Sequence, residues 1–179
     1  MLWSLRSSHL RNLSDRDACF IDLEGRLRVV ARPAALALML GCTVESRELE
    51  TGGILIGKYC EDHCIAVIEE ATPAPPDSTR NGSSFVRGTR GLRSRLREAW
   101  QRGLYYLGEW HSHPKSKPLP SDTDKVTLAS IASNPNMHCT NPVLFIIGGG
   151  ERMHVSTWQG GVLKRRSDED KSENGTDKS

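Results

Sequence analysis

The sequence predicts a single domain of the α/β (α+β) class, a mixed β-sheet flanked by three helices, and three observations support this. Short apolar, β-branched runs recur along the chain with turn residues between them. Three helical segments are interspersed among those runs without the strict strand–helix alternation of a nucleotide-binding fold. At 179 residues the chain has room for one real core and too little for two ordinary domains.

Taken in order, Leu27 to Ala31 form a short strand-like run that passes through Arg32 into a helix opened by Pro33, a residue suited to the first turn. Leu36, Met39 and Leu40 mark its buried face, and Gly41 weakens it near the end. "GGILIGKYC" and "CIAVIEEA" read as two central strands of a hairpin with Glu61 and Asp62 in its turn. Pro73, Pro75 and Pro76 break regular structure in "TPAPPDSTRNGSS", which reads as a long loop. From Thr89 to Gln101, Leu92, Leu96, Ala99 and Trp100 form one face of an amphipathic helix while Arg90, Arg93, Arg95 and Arg97 face away. Those arginines make a solvated face or a docking surface for an acidic partner. "LYYLGEWH" is a strand ending at histidines, "DKVTLASIAS" a short helix and "NPNMH" a turn; "PVLFIIGGG", "RMHVSTW" and "GVLKRR" are the last strands. The closing "SDEDKSENGTDKS" has no large apolar side chain and reads as a disordered tail.

Composition removes several classes of function. The hydrophobic fraction of 37% and charged fraction of 26% are those of a soluble globular protein, and no apolar run approaches the roughly 20 residues of a membrane span. The first residues lack the continuous apolar stretch of a signal peptide, so a cytoplasmic protein is expected. A formal charge of +2, from 24 basic and 22 acidic side chains, gives no global field toward nucleic acid or acidic lipid, so neither is expected as a partner. Five cysteines, an odd number, argue against a disulfide framework. Cys60 and Cys64, with His63 between them, have the spacing of half a zinc knuckle, but no second pair accompanies them, and they read as a hairpin tip.

The chemistry concentrates in "GEWHSHPKSKPLPSDTD", residues 108–124. Residues two apart on a strand share a face, so His111 and His113 present both imidazoles in one direction while Ser112 points the other way. Pro114 biases His113 toward extended backbone, and Pro118 and Pro120 stiffen the loop that brings Asp124 back at low entropic cost. Two imidazoles and a carboxylate leave the fourth tetrahedral position of Zn²⁺ open, the pattern of a catalytic rather than structural ion. Each part alone has a plainer reading. Ser121 with Asp124 resembles a capping box in which Asp replaces the usual Glu or Gln, and histidines at a strand end are commonly polar surface. Hydrolysis at such an ion needs a general base, and Glu50, ahead of Gly52 and Gly53 in "ELETGGILIG", is placed to be one.

Together, "E-T-G-G-I-L-I-G", "H-S-H-P", six further residues and "S-D-T-D" resemble the signature of the JAMM (MPN+) zinc metalloproteases, matching it at each functional position. The resemblance implies a JAB/MPN domain over residues 19–166, between an N-terminal segment 1–18 and the polar tail 167–179. It implies a curved sheet flanked by helices, similar to cytidine deaminases. It assigns one zinc ion per chain to His111, His113 and Asp124, the general acid/base to Glu50, and transition-state support to Ser121. The implied activity is cleavage after the C-terminal glycine of a ubiquitin-like protein, from conjugates or from a precursor. The compact length and the phrases "GLYYLGEWHSHP" and "PLPSDTD" look like bacterial stand-alone forms encoded beside ubiquitin-activating (E1) and conjugating (E2) homologues, including those of antiphage CBASS operons. A peptidase acting on a sulfur-carrier protein would use the same residues. A catalytically inactive MPN scaffold, which usually loses metal ligands, and a DNA-associated relative fit the sequence less well.

Overall fold

The computed structural model describes residues 17–21, 28–60, 64–149, 152–159 and 162–168. Their elements are β1 (Ala18–Ile21), β2 (Arg28–Ala31), α1 (Pro33–Ser46), β3 (Gly52–Cys60), β4 (Ile65–Ala71), β5 (Thr79–Arg80), β6 (Phe85–Val86), α2 (Leu92–Gln101), β7 (Tyr105–His113), α3 (Asp122–Ser133), β8 (Val143–Gly148), β9 (Met153–Gln159) and β10 (Val162–Asp168). Eight strands close into a strongly curved barrel in the order β1-β10-β9-β8-β7-β3-β4-β2, and β5 and β6 pair separately. Two pairings are parallel, β2 with β4 and β7 with β8, and the others are antiparallel. A parallel pair needs a crossover. Between β7 and β8 the crossover contains α3, and this connection carries the histidine strand to the acidic helix start.

Alternation along the strands divides the apolar side chains between two faces. One face supplies Phe20, Val29, Leu55, Ile68, Leu107, Trp110, Phe145 and Val155, which pack with Leu36, Met39 and Leu40 of α1. On the other face α2 contributes Ala99, and α3 contributes Ile131 and Leu128, above Ile54, Ile56, Tyr106, Leu144 and Ile146. α1 runs through Gly41 to Ser46, because a helix anchored by a buried stripe outweighs the propensity cost of one glycine.

A bulge sets the facing of β7. Leu55 lies opposite Gly108 and Ile56 opposite Tyr106, so Leu107 is the extra residue. Gly108 has φ of 143°, and a Cβ there would meet the Val143 backbone. The shift puts Tyr106 on the same face as Glu109, and its hydroxyl donates to Glu109 Oε1 at 3.2 Å. His111 and His113 continue that face.

Four expectations change. The loop expected over 72–84 contains β5 and the turn of the β5–β6 hairpin, nucleated where the Asn81 N–H donates to the Ser84 carbonyl (2.9 Å) and Asn81 Oδ1 accepts from the Ser83 N–H (2.9 Å). Trp100 is not on the buried stripe of α2: it is 67% exposed and meets Tyr105 edge-to-face at 5.4 Å, because Leu92, Leu96 and Ala99 already fill the contact. Arg95 does not face solvent alone; it reaches Glu70 on β4 (2.5 Å), which Arg102 also binds. The last strand runs to Asp168, two residues into the segment expected as tail. The remaining tail, the first 16 residues and the hairpin tip 61–63, including His63, lie outside the described residues.

Candidate metal centre and active site

The site forms where β7 ends. His111 and His113 point their Nε2 atoms together, 3.0 Å apart, with ring centroids at 4.8 Å. His113 Nδ1 lies 3.2 Å from the Lys117 carbonyl, which can only accept, so this nitrogen carries the proton and Nε2 keeps its lone pair toward His111. The Lys117 carbonyl is delivered by a loop folded back on itself. Ser116 N–H donates to the His113 carbonyl (3.3 Å) and Leu119 N–H to the Lys117 carbonyl (2.8 Å). Pro118 packs on Gly148 so closely that a Cβ there would meet it within 3.1 Å.

Asp124 completes the group from the first turn of α3. The capping box is formed, and it leaves the second carboxylate oxygen of this residue available, because the two oxygens face different partners. Oδ2 accepts from Ser121 N–H and from Ser121 Oγ–H, both at 2.7 Å, while Asp124 N–H donates to Ser121 Oγ at 3.2 Å. Oδ1 is turned to the histidines, 3.6 Å from His111 Nε2. Ser121 is therefore Asp124's clamp in this structure, and an oxyanion role asks its hydroxyl to release the carboxylate and turn.

Ligand atoms bound to one zinc at about 2.0–2.2 Å must lie within a few ångströms of one another. The donor atoms of His111, His113 and Asp124 all lie within 4.8 Å, and among the described residues they form the metal-competent group. Burial holds the His111 imidazole well below its ordinary pKa, with Asp124 opposing the shift and His113 reinforcing it. A neutral imidazole is the form that binds metal. The residues fit a zinc ion in number, chemistry and protonation.

Glu50 enters from the segment just ahead of β3 and is buried, 8% exposed. Burial pushes its carboxyl pKa up; His113 lowers it and Asp124 raises it, so the carboxyl feels both of these side chains. Its backbone N–H donates to the Asn81 carbonyl (2.8 Å). The next residue, Thr51, donates its N–H to Ser112 Oγ (3.1 Å) and accepts from the Ser112 N–H (2.7 Å). A Cβ at Gly52 would meet the Trp110 carbonyl, the Phe85 ring and His111 Cβ, all within 2.8 Å, so glycine lets β3 lie against the histidine strand. Thus all five residues singled out in the sequence stand at one end of β3, β7 and α3. Sequence reasoning missed the Lys117 carbonyl, Asn81 and Ser112; only Ser112, facing away on the strand between the histidines, carried a signal.

The model of prokaryotic homologs of the JAB domain matches residues 34–160. The chain belongs to that family. It is similar to a CD-NTase/cGAS isopeptidase of Enterobacter hormaechei, 41% identical over 142 residues and covering 79% of each chain. A CD-NTase/cGAS isopeptidase of Vibrio cholerae is 31% identical over 116 residues, covering 63% of this chain and 73% of that one. The solution structure of a Desulfitobacterium hafniense protein superposes with a TM-score of 0.55 at 19% identity, over 74% of this chain and 85% of the other, a likeness of fold. Family membership and these relatives support a hydrolase of the isopeptidase class.

Proposed function

We propose that this JAB-family chain is a zinc-dependent isopeptidase that detaches a donor protein from the lysine to which its C-terminus is conjugated, as part of bacterial antiphage defence in the cytoplasm. The relatives' names favour a CD-NTase/cGAS-type enzyme as the donor. The motif resemblance favours a ubiquitin-like tail, installed by E1- and E2-like enzymes, and both donors present the same chemistry, an extended C-terminal tail ending at the scissile carbonyl. The convergence of His111 Nε2, His113 Nε2 and Asp124 Oδ1 beside buried Glu50 carries the proposal.

Zinc, when bound, supplies a Lewis acid that polarises the carbonyl and lowers the pKa of a water. His111 and His113 would hold the ion from one face of β7, and Asp124 would hold it from the helix while Ser121 fixes the carboxylate. Glu50 removes a proton from the attacking water and returns it to the departing lysine amine, which must leave protonated. Burial of Glu50 suits both tasks, because a raised pKa makes it a stronger base first and a competent acid afterwards.

The test is zinc-dependent cleavage of isopeptide-linked or C-terminally extended CD-NTase, ubiquitin, bacterial ubiquitin-like protein and sulfur carrier, read by intact mass. One or more should be cut directly after its C-terminal residue, and a chelator should abolish the cut. Glu50→Gln should keep its zinc and lose about 10²–10⁴-fold in rate. Full activity in Glu50→Gln would remove the proposed acid/base.

A further inference from the structure

We infer that Ser112, the residue between the two histidines, is a positioning residue that aims Glu50. The inference rests on Glu50 being the acid/base. Gly52 faces His111 and Gly53 faces Trp110 across the β3–β7 ladder, so the same register continued outward would set Thr51 against Ser112 and Glu50 against His113. Facing residues in a hydrogen-bonded antiparallel pair exchange two backbone bonds. Here one is kept, Ser112 N–H to the Thr51 carbonyl at 2.7 Å. The other is diverted: the Thr51 N–H goes to the Ser112 side chain, Oγ at 3.1 Å, in place of its carbonyl.

That exchange ends the ladder. β3 is in register only from Gly52, and Glu50 leaves the sheet, with its own N–H turned to Asn81. A Glu50 kept in the ladder would be a strand residue level with His113; here the ladder ends before reaching it. Ser112 is 0% exposed and Thr51 is 2% exposed, so no bulk water stands in for the hydroxyl if it is removed. Ser112 points to the face opposite the imidazoles, so its hydroxyl acts on Glu50 through the backbone alone.

The experiment compares Ser112→Ala and Ser112→Thr in the full chain by amide hydrogen exchange at Thr51, zinc content, and kcat and KM on whichever conjugate the wild type cuts. Ser112→Ala should speed Thr51 exchange at least tenfold, retain one zinc per chain, lower kcat at least tenfold and leave KM within twofold. Ser112→Thr keeps a hydroxyl and should restore slow exchange and most of kcat. Unchanged Thr51 exchange in Ser112→Ala would overturn the inference, as would fast exchange with undiminished kcat, or loss of zinc in parallel with activity. If the wild type cuts no conjugate, the functional reading fails, while the exchange measurement still decides whether Ser112 holds Thr51.

Discussion

His111 and His113 ride on β7, which is paired to β3 on one side and to β8 on the other. Asp124 reaches the same point from α3, where a reciprocal cap with Ser121, three residues away, fixes its carboxylate. The strand side is made of long-range contacts and cannot be loosened without disturbing the core. The helix side is local, formed by whatever forms the first turn of α3. The site is thus built from a rigid half and a separable half, and substitutions should tell them apart.

The largest effect is expected on the rigid half. His113→Ala removes a donor that no neighbour replaces, since the Lys117 carbonyl approaches only the imidazole's other nitrogen. Zinc should be lost under dialysis, with activity falling beyond the roughly 100-fold typical of losing an outer partner. The apo melting temperature should barely change, because His113 sits at the strand end and is only half-buried. Metal analysis finding zinc unchanged would remove His113 from the ligand set.

Ser121→Ala probes the separable half. Asp124 keeps its bond from the Ser121 N–H and loses the hydroxyl, so its Oδ1 is aimed less well at His111. Zinc affinity should fall about 10–100-fold, the range for an outer partner of a ligand. Stability should fall by about 1 kcal/mol, the usual cost of an N-cap serine. A chelator-competition titration with unaltered affinity would show that the cap and the ligand do not communicate.

The same division explains what could be read from the sequence. The proposed ligands and Glu50 were legible because metal chemistry admits few residue types, and the period of a strand fixes which of them share a face. Ser121 and Asp124 were legible because a capping box is a local pattern. β1 was not: its four residues close the barrel between β2 and β10, and the β10 partners lie more than a hundred positions later. β5 and β6, two residues each, are too short to show any period. The Leu107–Gly108 bulge and the Arg95–Glu70 pair depend on which strand lies alongside, and Thr51 and Ser112 meet across 61 residues. Local patterns gave the separable half of the site nearly complete, whereas the backbone supports of the rigid half required the fold.

The smallest effect is expected at the surface beside the strand half. Lys115, just past the histidines, pairs with Glu48, two residues before Glu50, at 2.9 Å. Their side chains are 57% and 79% exposed, so water screens the pair and ordering two long side chains offsets much of the attraction. The loop that carries Lys115 is held instead by its own backbone bonds and by Pro118 against Gly148. Lys115→Ala should therefore leave zinc affinity and kcat/KM within about twofold of wild type at both low and high salt, since an exposed pair contributes little. A tenfold loss at low salt that vanishes at high salt would show that this ion pair, rather than the loop's own backbone bonds, holds the Lys115 loop against the segment before β3.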